Sequence, residues 1–168
     1  KFLLILSVIL FSFSLSSQNY WAPKADLSSS SRYSSVGFSI DSSGYICGGR
    51  VNPSTLSNEL WKWDQSSNSW TQKANFPGGG IYAPSAFVIN GIAYVGNGHN
   101  GNNSSNSFYK YDPNSNTWTA IASFPGSARY GCGFFTLNGK GYVFGGSTGQ
   151  TYLKDLWEYN PANNQWLQ

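Results

Sequence analysis

The stretch LNGKGYVFGG at residues 137–146, followed by DLWEYNP at residues 155–161, carries the pattern that decides the fold. Related stretches precede it at steps of 48 or 49 residues. The repeated positions are a tryptophan, a tyrosine and a glycine pair: Trp21, Trp70, Trp118 and Trp166; Tyr45, Tyr94 and Tyr142; Gly48-Gly49, Asn97-Gly98 and Gly145-Gly146. A constant period of this length indicates one structural unit copied several times.

Each copy contains four short segments of β type. In the last copy they are residues 130–137, residues 142–144, residues 156–159 and a segment beginning near Trp166. Asn138-Gly139 stands between the first two segments, and Asn-Gly favours the tight turn of an antiparallel hairpin. The first copy is one residue longer, and the extra residue falls within 50–58, which predicts a loop there.

Four antiparallel strands in each period, with no helical periodicity, predict an all-β protein made of small twisted sheets. One such sheet cannot bury both of its faces, so the sheets must stack on one another. Stacking around an axis produces a β-propeller, which typically has about 4 to 8 blades. The tryptophans are then expected to pack between blades and to be structural.

The spacing of tyrosine, double glycine and tryptophan resembles the kelch repeat. The resemblance covers the chain from Trp21 to its end and implies an incomplete kelch propeller within residues 18–168. It predicts about three blades and one N-terminal closing strand, with these bounds: a lone strand at 20–27 and repeats at about 32–77, 81–125 and 129–168. Kelch propellers commonly close by borrowing one strand, so the missing partners of the lone strand are expected beyond Gln168. The chain alone is expected to expose an unpaired blade face and to aggregate or fold poorly.

Several positions depart from the repeat. Asn97 replaces the first glycine of its pair, and asparagine tolerates left-handed backbone, so the turn can persist. Ile81 stands where the other copies have arginine. Cys47 and Cys132 could form one disulfide in an exported protein. They occupy different repeat positions, however, which favours two buried free thiols.

The N-terminal residues predict export. Lys1 precedes an apolar run at residues 2–15 and the small residues Ser16 and Ser17, as in a signal peptide spanning residues 1–17. A membrane anchor is the alternative, although a spanning helix needs about 20 apolar residues. The expected location is therefore secreted, periplasmic or cell-surface, without a membrane segment after cleavage. No methionine is present, which suggests that the sequence begins inside its reading frame.

Composition and residue types exclude several functions. The net charge is +3 and the basic residues are scattered, whereas nucleic-acid binding requires a basic stripe. His99 is the single histidine, and no acidic residue follows it in residues 100–103. Serine-hydrolase chemistry and a complete copper site of galactose-oxidase type are therefore not expected from these residues. No catalytic residue, metal site or cofactor is predicted.

A binding surface is the favoured hypothesis. The resemblance places the loop after the glycine pair and the start of the first strand on one propeller rim. This gathers the candidate binding residues Arg32, Tyr33, Arg50, Tyr82, His99, Arg129 and Tyr130. Arginine and tyrosine are common anchors for protein, acidic or sugar ligands. The alternative is that the tyrosines pack between blades and the arginines bond to backbone carbonyls.

The sequence therefore predicts a secreted, non-catalytic kelch propeller that binds a protein or a glycan. The alternative is a carbohydrate-active kelch enzyme, similar to galactose oxidase or N-acetylneuraminate epimerase, with its catalytic residues mostly outside this chain.

Overall fold

A computed structural model describes residues 21–168, and the predicted signal peptide lies outside the described residues. The described chain is all-β. The first copy contains β1 (Val36–Ile40), β2 (Ser43–Cys47), β3 (Arg50–Asn52), β4 (Thr55–Leu56), β5 (Leu60–Asp64) and β6 (Ser69–Lys73). The second contains β7 (Ser85–Ile89), β8 (Ile92–Gly96), β9 (Phe108–Asp112) and β10 (Thr117–Ala120). The third contains β11 (Gly133–Leu137), β12 (Lys140–Phe144), β13 (Leu156–Asn160) and β14 (Gln165–Leu167). Residues 21–168 include no helix long and apolar enough to span a lipid bilayer.

Three four-stranded antiparallel sheets confirm the predicted fold class. Their strand orders are β1-β2-β5-β6, β7-β8-β9-β10 and β11-β12-β13-β14, and we call them blades 1, 2 and 3. The segment predicted as a loop at residues 50–58 contains the short hairpin β3-β4 over residues 50–56. The hairpin forms because the side chain of Asn52 accepts the N–H of Ser54 at 3.0 Å and closes the turn.

The blades fan around an axis, with their first strands nearest to one another. Strand β7 packs against β1 on one side and against β11 on the other. The glycine pairs end the second strands, so they lie at one end of the sheets, which we call the glycine-pair rim. The hairpins between first and second strands lie at the other end, which we call the turn rim.

The predicted turns form as the residue types require. Asn90 and Gly91 have φ values of 49° and 77°, and Asn138 and Gly139 have 50° and 71°, as in a two-residue hairpin loop of type I′. Asn97 also adopts a left-handed conformation, with φ 55°, as predicted for this substituted glycine position.

Each of the later tryptophans joins its blade to the preceding one. The indole N–H of Trp118 donates to the carbonyl of Ala74 at 2.8 Å, and Asn116 accepts the N–H of the same alanine at 2.9 Å. Trp166 repeats the first contact with Ala122 at 3.0 Å. Both tryptophans also pack against aromatic rings, so they contribute to the contacts between blades.

The predicted lone strand at residues 20–27 is not formed over its described part, residues 21–27. Ala25 nevertheless makes the same contacts as Ala74, because its N–H donates to Asn68 at 3.0 Å and its carbonyl accepts from Trp70 at 2.9 Å. A strand requires a pairing partner, and the described residues provide none beside this segment. Trp21 is accordingly fully exposed.

Two aromatic and aliphatic clusters fill the spaces between blades. One lies between blades 1 and 2, and the other lies between blades 2 and 3. The outer face of blade 3 carries the same residue types without a cover: Phe135, Leu137, Phe144 and Leu156 are 45–53% exposed. Their counterparts Phe87, Ile89 and Phe108 on blade 2 are 1–3% exposed. The described chain thus presents the uncovered blade face that the repeat predicts.

The two cysteines are free and buried. Cys47 belongs to the cluster between blades 1 and 2, and Cys132 belongs to the cluster between blades 2 and 3. Burial raises the pKa of the Cys47 thiol to about 12 and also raises the pKa of Cys132. Both thiols therefore pack as small apolar groups.

The second glycine of the pair is needed for backbone geometry and for space. Gly146 has φ 92°, and a Cβ added there would lie 2.6 Å from Cys132 Sγ and 2.9 Å from the Tyr130 carbonyl. We expect Gly146→Ala to lower the free energy of unfolding by about 2–4 kcal/mol, because backbone strain and steric overlap add. Urea titration at low protein concentration measures this change.

Gly139 provides the matched control. It also has positive φ, at 71°, but an added Cβ would meet no atom within 4 Å. Gly139→Ala should therefore cost only the backbone strain, about 1–2 kcal/mol. Equal losses in the two variants would show that the close packing at Gly146 is unimportant.

Candidate binding site at the glycine-pair rim

The glycine-pair rim is built alike in all three blades. The tyrosine three positions before each first strand pairs with the residue after each glycine pair: Tyr33 with Arg50, Tyr82 with His99 and Tyr130 with Ser147. These bridges set three tyrosines at the inner ends of the blades, beside the axis. Of the predicted binding residues, Tyr33, Arg50, Tyr82, His99 and Tyr130 take part in these bridges.

Backbone hydrogen bonds connect the blades at this rim. The N–H of Ala83 donates to the carbonyl of Ser34 at 2.7 Å, and the N–H of Gly131 donates to the carbonyl of Ala83 at 3.0 Å. All three residues have positive φ, between 49° and 66°. Because each follows one of the three tyrosines, this chain of bonds fixes the spacing of the tyrosine backbones.

Four side chains meet at the rim, and we call them the rim cluster: Arg50, Tyr82, His99 and Tyr130. The three ring centroids lie 5.2–5.7 Å apart in every pairing. The guanidinium carbon of Arg50 lies 4.4 Å from the centre of the Tyr82 ring, as in a cation–π contact. All four residues are half-buried, so they are held in place yet reach solvent.

The protonation of His99 follows from its surroundings. Its Nδ1 accepts the N–H of Gly101 at 2.9 Å, which leaves Nε2 to carry the proton in the neutral ring. Burial, and then the positive charge of Arg50, lower the pKa of His99. At neutral pH the ring is therefore an uncharged hydrogen-bond donor.

Two further tyrosines flank the rim cluster. Tyr33 is 60% exposed and lies beside a groove of about 780 Å³ that Asp26 also lines. Tyr152 is 93% exposed and lines a groove of about 560 Å³ that Tyr130 also borders. Tyr152 was not among the residues predicted from the sequence, although a large aromatic in the loop after a glycine pair was a signal for it.

The structure places Arg32 and Arg129 inside the blades, which corrects their interpretation as exposed ligand anchors. The side chain of Arg129 is 1% exposed and forms two hydrogen bonds with Asp155, at 2.6 and 2.8 Å. It also donates to the carbonyl of Gly145 at 3.0 Å and covers the ring of Phe124. Arg32 is 4% exposed and pairs with Glu59 at 2.6 Å.

Their acidic partners were also missed, but the repeat contains a signal for them. Glu59, Ser107 and Asp155 occupy one repeat position, as do Arg32, Ile81 and Arg129. Where isoleucine replaces arginine, serine replaces the acid. This matched substitution indicates that the two positions touch, and the ion pairs confirm the contact in blades 1 and 3.

The groups at the rim differ from those of a metal centre or a histidine–carboxylate pair. Within residues 21–168 no group of three or more His, Cys, Asp or Glu side chains could hold a metal ion. Over the same residues, no carboxylate bonds or pairs with His99. The rim cluster can donate hydrogen bonds from a cation, an imidazole and phenols, and it can stack against a flat ligand face.

The fold is that of a propeller assembled from kelch repeats. Its features are fanned four-stranded sheets, aromatic layers between them and glycine pairs at one rim. The chain belongs to the Kelch-repeat family, because residues 39–168 match the KLHDC2/KLHL20/DRC7 Kelch-repeats domain. The structure of YjhT is similar, with a TM-score of 0.74 and 23% sequence identity over 86% of the chain. The chain spans 51% of the YjhT chain, and at this identity the likeness shows the fold alone. No curated protein matches the sequence significantly.

Proposed function

We propose that this chain is part of a secreted, non-catalytic kelch propeller that binds a carbohydrate at its glycine-pair rim. The rim cluster is the observation that carries this proposal. It combines aromatic rings 5.2–5.7 Å apart with a cation and a neutral imidazole donor, all reachable from solvent. Sugar rings present apolar C–H faces and many hydroxyl groups, which such a surface can stack on and hydrogen-bond.

The side chains around the rim cluster favour a sugar over a protein partner. In the loops of the described rim, the large exposed apolar side chains are the tyrosines Tyr33 and Tyr152. The loops between them are rich in amides and hydroxyls, as in residues 100–107 and 147–151. Protein interfaces usually have a more apolar centre. A protein partner would therefore require more exposed apolar surface than this rim has.

Secretion is part of the proposal and is supported by the apolar run at residues 2–15. The alternative, a carbohydrate-active enzyme, would use the same rim with added catalytic groups. No contact of His99 with an acidic group in residues 21–168 favours that alternative.

A glycan array probed with the folded chain, beside a peptide array, tests the function. We expect glycan binding, and we expect the double variant Tyr82→Ala with Tyr130→Ala to weaken it at least about tenfold, since buried aromatic anchors carry much of the binding energy. Tyr82→Phe keeps the ring and should retain most of the binding. Glycan binding that survives the double variant would contradict the proposed site, and binding to peptides alone would contradict the ligand class.

A further inference from the structure

We propose that the carbohydrate bound at the glycine-pair rim carries a carboxylate, which the Arg50 guanidinium and the His99 imidazole receive. This inference rests on the proposed binding function and specifies its ligand. Four observations support it: the distribution of charge between the two rims, the free donors of the rim cluster, its partial burial and the adjoining groove.

Charge is separated between the two rims. In the loops of the glycine-pair rim, both acidic residues, Glu59 and Asp155, are paired with buried arginines. Arg50 and Lys154 are the cations left without an acidic partner in those loops. The turn rim carries acids instead, at the positions Asp41, Asp64 and Asp112, and its described loops contain no lysine or arginine. The field at the glycine-pair rim therefore favours an anion.

One acidic residue lies close to this rim outside those loops. Asp26 is exposed and lines the groove beside Tyr33, on the blade 1 side. The other groove, beside Tyr130 and Tyr152, has no acidic residue among its lining side chains. This groove shares Tyr130 with the rim cluster and has about 560 Å³ of room, so the rest of the sugar is expected to extend into it from the bound carboxylate.

The rim cluster has hydrogen-bond donors that are not in use, and it contains no carboxylate. Arg50 uses Nη1 to donate to the carbonyl of Pro53 at 2.6 Å, and the other N–H groups of its guanidinium form no hydrogen bond with the described residues. His99 holds its proton on Nε2, because Nδ1 already accepts the N–H of Gly101. Arg50 and His99 both lie against the Tyr82 ring, and free donors placed in this way are complementary to an oxyanion.

Because the rim cluster is partly buried, its preference for an anion is stronger than that of a fully exposed charge. Arg50 lies over the Tyr82 ring, and His99 packs against Tyr82 and Tyr130 at 5.2–5.3 Å. The rings exclude water from one side of each donor. Hydrogen bonds between charged partners gain most where water is excluded.

A matched pair of probes tests the inference with the full chain: trigalacturonate and its fully methyl-esterified form, compared by isothermal titration calorimetry. The two ligands differ in their carboxylates and share the sugar ring. We expect the acid to bind at least about tenfold more tightly than the ester, because a charged hydrogen bond is stronger than a neutral one. Arg50→Gln should abolish most of the difference in affinity between the acid and the ester.

Lys110→Gln is the control, because it removes the same charge from an exposed strand position away from the rim. It should leave the preference for the acid unchanged. Equal binding of acid and ester, with both lost in Tyr82→Ala, would overturn the carboxylate inference and leave the binding function standing. Tighter binding of an oligoglutamate peptide than of trigalacturonate would overturn the sugar assignment. No binding of either galacturonate by folded chain would overturn the inference, while the glycan array decides the function separately.

Discussion

Arg129→Ala should lower the free energy of unfolding by about 3–5 kcal/mol, because it leaves the partly buried Asp155 without its partner. The lost contacts are two hydrogen bonds to Asp155, one each to the carbonyls of Gly145 and Ser127, and the packing over Phe124. This is a large share of the stability of a typical domain, which is about 5–15 kcal/mol. Urea titration followed by tryptophan fluorescence measures the loss.

Blade 2 supplies the control for this variant. At the same three repeat positions it has Ile81, Ser107 and Tyr109, where blade 3 has Arg129, Asp155 and Trp157. The triple variant Arg129→Ile, Asp155→Ser and Trp157→Tyr gives blade 3 the uncharged residues that blade 2 has at these positions. It should recover most of the lost stability, since replacing a buried ion pair as a whole is often neutral. A triple variant as unstable as Arg129→Ala would show that the pair itself, and not its unpaired acid, matters.

The same ion pair makes stability depend on pH at low pH. The hydrogen bonds from Arg129 lower the pKa of Asp155 from 3.8 to about 2. A lowered carboxyl pKa stabilises the fold above the unfolded value, near pH 4, and this contribution disappears as the pH falls towards 2. The difference between wild type and the triple variant should therefore change by an amount on the order of 2 kcal/mol between pH 6 and pH 2.

Trp166→Ala should cost about 3–5 kcal/mol, as expected when a large aromatic side chain is removed from a packed layer. The ring centroid of Trp166 lies 5.0–6.2 Å from four other aromatic rings, those of Phe87, Phe108, Phe124 and Tyr159. Its indole N–H also joins blade 3 to Ala122 of blade 2. Thermal unfolding followed by circular dichroism measures the loss.

Two matched variants separate the contributions at this position. Trp166→Phe keeps an aromatic ring and loses the hydrogen bond to Ala122, so a smaller loss of about 1–2 kcal/mol is expected. Trp21→Ala changes the same repeat position in the N-terminal segment, where the side chain is fully exposed. It should alter stability by less than about 0.5 kcal/mol. Similar losses from Trp21→Ala and Trp166→Ala would contradict the assignment of the two environments.

Much of the fold was predictable because its signals are local and repeated. Asn138-Gly139 identified a hairpin from two adjacent residues, and the constant spacing of Tyr142, Gly146 and Trp166 identified the blade. The strand predicted at residues 20–27 failed because a strand depends on its neighbour, and residues 21–27 have no paired neighbour in the described chain. The hairpin within residues 50–58 was missed because its pairing, as between Arg50 and Leu56, needs only a few residues and leaves a weak pattern.

The candidate site was predictable only in part. Residue type and repeat register placed Tyr82, His99 and Tyr130 on one rim, where the bridges indeed hold them. The same reasoning could not show that Arg50 is accessible while Arg129 is buried, because both are arginines near the rim. Their difference depends on what faces them after folding: a tyrosine ring and solvent for Arg50, and a carboxylate and a carbonyl inside the blade for Arg129.

The period of 48 residues, with its turns and tryptophans, was enough to establish an all-β kelch propeller, because strand and turn preferences act between neighbours along the chain. Tertiary structure alone decided which charged and aromatic side chains remain accessible. Arg32 and Arg129 become buried because Glu59 and Asp155 lie opposite them after folding. Arg50 and His99 stay reachable because the rings of Tyr82 and Tyr130 support them at the rim. Accessibility depends on contacts between blades, and those contacts join residues far apart in sequence.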